Sequence, residues 1–202
     1  FPKIKVKEDN NLIAKVVDQH PDRFVGFAGI NPTEEDSLDE VYRAIDIGLK
    51  GIMLDPEFLK FMRRGLSDVE EVMVPCLEHN LPVIFNTENI RYKGNESYYK
   101  GLDTLAHKFP EVKMVVNIGW PQVTGLMKVH KNILLCTGGH HTVPGMLPVL
   151  ERVGPTRMLM GSESPVMHPA LIIKDIRYKK MHSKYREMIL GDNARRHFPQ
   201  LF

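Results

Sequence analysis

Cysteine is scarce in this chain, which has two of them, Cys76 and Cys136, among 202 residues. They lie far apart and form no CxxC pair, so their spacing excludes a disulfide framework. We expect a buried free thiol at each position. Free thiols favour a reducing, intracellular compartment.

Long apolar runs and an excess of one charge are also lacking. No stretch of eighteen apolar residues and no signal-peptide pattern occurs, so we expect a cytoplasmic protein with no membrane partner. The 27 basic and 25 acidic residues nearly cancel. The composition therefore gives no reason to expect a nucleic-acid partner.

What the sequence does have is a regular alternation of short apolar runs and helical stretches. With 43% hydrophobic residues, the chain is long enough for one core, and we predict a single domain over residues 1–202. Helical stretches follow six predicted buried strands, which lie at 23–30, 51–55, 82–87, 112–119, 133–137 and 157–161. This order predicts a parallel α/β sheet with right-handed crossovers.

Polar residues follow nearly every predicted strand. No glycine-rich phosphate loop follows any of them, which argues against an open nucleotide-binding sheet. Polar residues at the carboxyl ends of the strands are typical of an α/β barrel. They are Asp55, Glu57, Asn86, Glu88, Asn117, His140, His141 and Glu163.

Several segments, taken in order, resemble one family. They are HPDRFVGFAGINP, LKGIMLDPEF, LPVIFNTE, HKFPEVKMVV, NILLCTGG, GPTRMLMGSESP and ILGDNARRHF. Together they resemble the amidohydrolase-related (type 2) branch of the amidohydrolase superfamily, which contains metal-dependent hydrolases and non-oxidative decarboxylases. The resemblance implies a TIM-type (β/α)8 barrel, of which this chain supplies the last six βα units.

The resemblance also assigns roles to residues at the strand ends. It implies histidine ligands where this chain has Asn86 and Asn117, and a metal-binding, proton-shuttling aspartate where it has Glu163. It places a His-x-His pair on a first strand that we do not find here. An asparagine amide suits a zinc-like ion less well than an imidazole does. We therefore expect a degenerate metal site, with His140, His141 and Glu163 as the tentative ligands of a rebuilt one.

Two functional hypotheses follow from the resemblance. In the first, the protein is a hydrolase or non-oxidative decarboxylase for a small carboxylated or cyclic substrate, with Glu163 as its general acid or base. The expected substrate-binding residues are Asn86, Asn117, Arg63, Arg64, Trp120 and Asp55. In the second, the barrel is catalytically inactive and serves as a binding or interaction module.

A six-stranded sheet also raises the question of its two outer strands. Open sheet edges are normally covered or paired. We therefore expect either a homo-oligomer or an N-terminal segment, preceding Phe1, that covers them.

Overall fold

A computed structural model describes residues 6–54, 66–86, 96–117, 120–138, 146–165, 167–178 and 181–202. Within these ranges helices and strands alternate along the chain, as the sequence predicts. None of the helices in the described ranges has the length and apolar character needed to cross a bilayer.

The helices and strands have the following bounds. The α-helices are α1 (Val6–Gln19), α2 (Ser37–Asp46), α3 (Ser67–Glu78), α4 (Glu96–Lys108), α5 (Trp120–Val129), α6 (Met146–Val153), α7 (Pro169–Tyr178), α8 (Ser183–Glu187) and α9 (Asn193–His197). A π-helical segment, Met188–Asp192, joins α8 to α9, and a 3-10 turn, Pro199–Leu201, follows α9. The strands are β1 (Ala28–Ile30), β2 (Ile52–Leu54), β3 (Val83–Asn86), β4 (Met114–Asn117), β5 (Ile133–Cys136) and β6 (Met158–Leu159).

The six strands form one sheet in the order β1-β2-β3-β4-β5-β6. The pairs β1–β2, β2–β3 and β5–β6 are parallel, as predicted. Most strands are shorter than predicted. The apolar side chains of Phe24 and Val25, which were expected inside a strand, are 48% and 40% exposed and precede β1.

The chain divides into two compact units, one within residues 1–114 and the other within residues 115–202. In the first unit, Ile52, Leu54 and Phe85 are fully or almost fully buried side chains of β2 and β3. In the second unit, Ile133 and Leu135 of β5 have no exposed surface. Each unit thus buries the apolar side chains of its own strands, which is the main favourable contribution to folding.

In the first unit, the outer edge of β1 is hydrogen-bonded to a side chain. The Ala28 N–H donates to Gly51 on the β2 side, so Gly29 faces the opposite edge. There the Asn10 amide nitrogen donates to the Gly29 carbonyl at 3.1 Å, and the Gly29 N–H donates to the Asn10 Oδ1 at 2.9 Å. Asn10 thereby takes the place of a neighbouring strand. Asn10 itself lies in the second turn of α1.

Asn10 belongs to a buried network with two charged residues. Its amide nitrogen also donates to Glu40 Oε1 at 2.7 Å, and Arg43 donates to both Glu40 oxygens at 2.7 Å. Burial acts to raise the pKa of Glu40, but the hydrogen bonds from Arg43 and Asn10 outweigh it and hold the pKa below its usual value. The carboxylate therefore stays ionised although Glu40 is 3% exposed.

In the second unit, the outer edge of β6 is hydrogen-bonded in a similar way. The Leu159 carbonyl accepts a bond from the N–H of Thr137, the residue after β5, so Met158 and Met160 face the opposite edge. The Met160 N–H donates to the Ile189 carbonyl at 3.0 Å, and the Asn193 amide donates to the Met158 carbonyl at 2.8 Å. Asn193 is the first residue of α9, and its side chain bonds β6.

Candidate functional site

The end of β6 in the second unit presents Glu163. The chain leaves the strand through Gly161 and Ser162, and Glu163 has a φ of +53°, in the left-handed region that non-glycine residues rarely adopt. A cis peptide bond between Ser164 and Pro165 follows. Both carboxylate oxygens of Glu163 are shielded from solvent. The backbone thus holds a carboxylate inside the unit at a conformational cost, which is more common at functional sites than elsewhere.

Thr137, which follows β5, holds the start of this turn. Its hydroxyl donates to the Gly161 carbonyl at 2.9 Å and accepts from the Gly161 N–H at 2.9 Å. The Thr137 side chain is 1% exposed. One buried hydroxyl therefore satisfies both backbone groups of a residue two positions before Glu163.

The sulfur of Cys136 packs against the same turn. A Cβ atom placed on Gly161 would overlap Cys136 Sγ, so glycine is required there unless the sulfur moves. Burial raises the pKa of the Cys136 thiol to about 11, and the nearby Glu163 carboxylate contributes to the rise. Cys136 is therefore a protonated free thiol at neutral pH; its side chain is half-buried, whereas the sequence predicts a fully buried one.

The structure describes some of the other predicted site residues of the second unit and not others. Asn117 is the last residue of β4 and is half-buried. Trp120 is the first residue of α5, and its side chain is not described. His140 and His141 lie outside the described residues. The roles proposed for these residues stay predictions.

In the first unit, one predicted site residue is described. Asn86 ends β3 and is half-buried, as expected for a residue at the carboxyl end of a strand. Asp55, Arg63 and Arg64 lie outside the described residues. Their roles also stay predictions.

The first unit also contains a cavity of about 270 Å³ at the end of β1. Its lining residues are Val6, Lys7, Glu8, Ile30, Asn31, Glu34, Asp36, Ser37 and Glu40. Four of its polar residues are engaged within the unit: Lys7 pairs with Asp36 at 2.6 Å, and Asn31 donates to Glu34 at 2.9 Å. The cavity wall is therefore built from internal ion pairs and hydrogen bonds.

The predicted divalent metal site can be tested against the described donors. In the part of the chain that the structure describes, no three side chains of histidine, cysteine, aspartate or glutamate come close enough to share an ion. Of the three tentative ligands, Glu163 alone lies in that part. Structural zinc sites take four nitrogen or sulfur ligands, and catalytic ones take three protein ligands. The described donors by themselves do not make up such a site.

Sequence reasoning missed Thr137. A threonine at the end of a predicted strand looks like an ordinary β-branched strand residue. The partner of its hydroxyl lies 24 positions further along the chain, so the local sequence does not reveal it. The available signal in the sequence was the glycine that follows, Gly138, which has a φ of +62°. A hydroxyl placed before such a turn can replace a missing rung of the backbone ladder.

Comparison with solved structures gives similar folds at low identity. A TIM-barrel protein from Bordetella bronchiseptica superposes with a TM-score of 0.77 at 20% identity, over 95% of this chain and 72% of that one. The 2,6-dihydroxybenzoate decarboxylase from Rhizobium gives 0.72 at 14%, over 96% and 77%. The 5-carboxyvanillate decarboxylase from Novosphingobium aromaticivorans, complexed with manganese, gives 0.75 at 16%, over 96% and 69%. The predicted TIM-barrel-like α/β fold is confirmed.

Comparison with curated proteins gave no match by sequence. The sequence model of one family, described as amidohydrolase, matches residues 4–200, which is nearly the whole chain. The resemblance seen in the sequence is thereby confirmed, and the chain belongs to the amidohydrolase family.

Proposed function

We propose that the protein is a non-oxidative decarboxylase for a small carboxylated cyclic substrate, with Glu163 as the acid that protonates the product. Three observations support this proposal. The chain belongs to the amidohydrolase family. Several structures with the same fold are decarboxylases of hydroxylated benzoates. A shielded carboxylate stands at the end of β6, where the family resemblance implies a proton-shuttling aspartate.

In the proposed decarboxylation, Glu163 is the source of the proton that replaces the lost carboxylate. The carbon–carbon bond to the substrate carboxylate breaks, carbon dioxide leaves, and the bonding electron pair remains on the ring carbon. For this step Glu163 has to carry a proton, which it donates to that carbon; the resulting carboxylate regains a proton from water after the products leave. Positioned acids of this kind contribute on the order of 10²–10⁴ in rate.

The observation that carries the proposal is the conformation of Glu163. A non-glycine residue in the left-handed region costs on the order of 1–3 kcal/mol and persists where the surrounding structure enforces it. Glu163 has a φ of +53°, and both of its carboxylate oxygens are shielded from solvent. Shielding from water strengthens the interactions that a carboxyl group makes with a bound substrate.

A decarboxylation assay tests the proposal. Purified protein is incubated with 2,6-dihydroxybenzoate or 5-carboxyvanillate, with and without added manganese, and carbon dioxide release is measured. We expect turnover, and a loss on the order of 10²-fold or more in Glu163→Gln, which cannot donate the acidic proton. Hydrolysis by the same carboxylate would instead release products without carbon dioxide. Equal rates in the wild type and Glu163→Gln would rule out the assignment of Glu163.

The second candidate is a binding module without turnover. It is favoured by Asn86 and Asn117, which stand at strand ends where the resemblance implies histidine ligands. Amide side chains can hydrogen-bond a ligand without activating it. Calorimetric binding of the two benzoates without carbon dioxide release, with and without manganese, would favour this candidate.

A further inference from the structure

We infer that Thr137 is a positioning residue for Glu163, acting through the backbone of Gly161. The inference rests on the proposed function, because it assigns a support to the carboxylate proposed there as the proton donor. Thr137 itself lies 26 positions before Glu163 in the chain, and the link between them is the turn that begins at Gly161.

The hydrogen bonds show why a hydroxyl is required at position 137. A threonine hydroxyl can donate one hydrogen bond while its lone pairs accept another. Thr137 uses both abilities on one residue, donating to the Gly161 carbonyl and accepting from the Gly161 N–H, each at 2.9 Å. Valine has the same shape and neither ability. Serine keeps both.

These bonds continue the parallel ladder past its last backbone rung. The Thr137 N–H donates to the Leu159 carbonyl at 2.9 Å, and the next bond along β6 comes from the Thr137 side chain. The ladder would otherwise end at Leu159. The hydroxyl therefore extends the hydrogen bonding of β6 by two residues, from Leu159 to Gly161.

Packing keeps the same turn from shifting toward β5. The space beside Gly161 is filled by Cys136 Sγ, and a Cβ atom there would overlap the sulfur. Thr137 thus hydrogen-bonds the N–H and the carbonyl of Gly161, and the Cys136 sulfur fills the space beside the Gly161 α-carbon. Glu163 leaves this fixed point after one intervening residue, so movement of Gly161 displaces the carboxylate. Small displacements of a reacting group cost large factors in rate.

Two measurements on Thr137→Val and Thr137→Ser test the inference. The first is amide hydrogen exchange by NMR, which needs no substrate. We expect the Gly161 N–H to exchange about tenfold faster or more in Thr137→Val, because its acceptor is gone, and near the wild-type rate in Thr137→Ser. The Leu135 N–H, which donates to the Arg157 carbonyl, is the internal control and keeps its protection.

The second measurement is the kinetics of carbon dioxide release from 2,6-dihydroxybenzoate. We expect kcat to fall on the order of 10- to 100-fold in Thr137→Val with little change in KM, and to recover in Thr137→Ser. Because a smaller folded fraction also lowers the apparent kcat at constant KM, kcat is expressed per mole of folded protein, quantified by circular dichroism. If Thr137→Val does not fold, Thr137→Ala is compared with Thr137→Ser in the same two measurements.

The outcomes separate the two claims. Unchanged Gly161 exchange in Thr137→Val would overturn the inference whatever the activity, and so would faster exchange with unchanged kcat. Absence of carbon dioxide release from the wild type would instead overturn the proposed function, and the exchange data would still decide whether Thr137 holds the turn.

Discussion

Asn10 in the first unit and Glu163 in the second unit are both polar groups shielded from water, but they stand in different relations to their strands. Asn10 lies beside β1, is 1% exposed, and bonds the Gly29 backbone and Glu40. Glu163 follows the end of β6 and requires a φ of +53°. One residue completes a sheet edge from an ordinary helix, and the other is held in a costly backbone conformation.

The difference separates a stabilising polar group from a functional one. A buried side chain that satisfies an otherwise open strand edge adds to stability, because each unpaired backbone group would cost free energy. The left-handed conformation at Glu163 subtracts from stability, and glutamine at this position keeps that conformation while removing the shielded ionisable group. Such residues persist where activity requires them, and replacing them often leaves stability unchanged or raises it. The comparison therefore predicts opposite consequences of mutation in the two units.

The largest stability effect is expected for Asn10→Ala. This change leaves the Gly29 N–H and carbonyl without their partner and removes one hydrogen bond from the Glu40 carboxylate. We expect the free energy of unfolding to fall by about 2–3 kcal/mol, measured by urea denaturation.

Asn11→Ala is the matched control for Asn10→Ala. Asn11 is the exposed neighbour on α1 and accepts one bond from Arg43 at 2.6 Å. We expect its loss to change stability by no more than about 0.5 kcal/mol. Equal effects of the two substitutions would mean that the edge of β1 gains nothing from Asn10.

A smaller effect is expected from the buried thiols at alkaline pH. Burial raises the pKa of Cys76 from 9.0 to about 12, and that of Cys136 from 9.0 to about 11. Because the folded-state pKa is the higher one, the contribution to stability is complete below pH 9 and is lost as pH rises through the folded-state values. Between pH 8 and pH 10 we expect the wild type to lose about 1 kcal/mol more than Cys136→Ala does, by urea denaturation at each pH.

One outcome of the comparison between Cys136→Ala and the wild type would contradict the prediction. Parallel pH profiles for the variant and the wild type would show that the Cys136 thiol titrates as it does in the unfolded chain. Its packing against Gly161 would then not be a buried contact.

The sequence predicted the alternation of elements well, because apolar spacing at helical and strand periods depends on local residues. It overextended β1, since Phe24 and Val25 are apolar but exposed. Hydrophobicity alone does not tell whether a neighbouring element covers a side chain.

The site was predictable in part. Glu163 was identified from its place after a predicted strand and from the family resemblance. Asn10 and Thr137 were missed, because each acts on a backbone group far along the chain: Gly29 lies 19 positions from Asn10, and Gly161 lies 24 positions from Thr137. Side chains that bond the backbone of a distant strand leave no periodic pattern in the sequence.

The most direct test of the central claim is the unfolding free energy of Glu163→Gln, measured by urea denaturation beside the wild type. The measurement requires no substrate. If Glu163 is kept for function, the variant will match the wild type to within about 1 kcal/mol or be more stable. A loss of about 2–3 kcal/mol, as expected for Asn10→Ala, would contradict the account and make Glu163 a structural residue of the second unit.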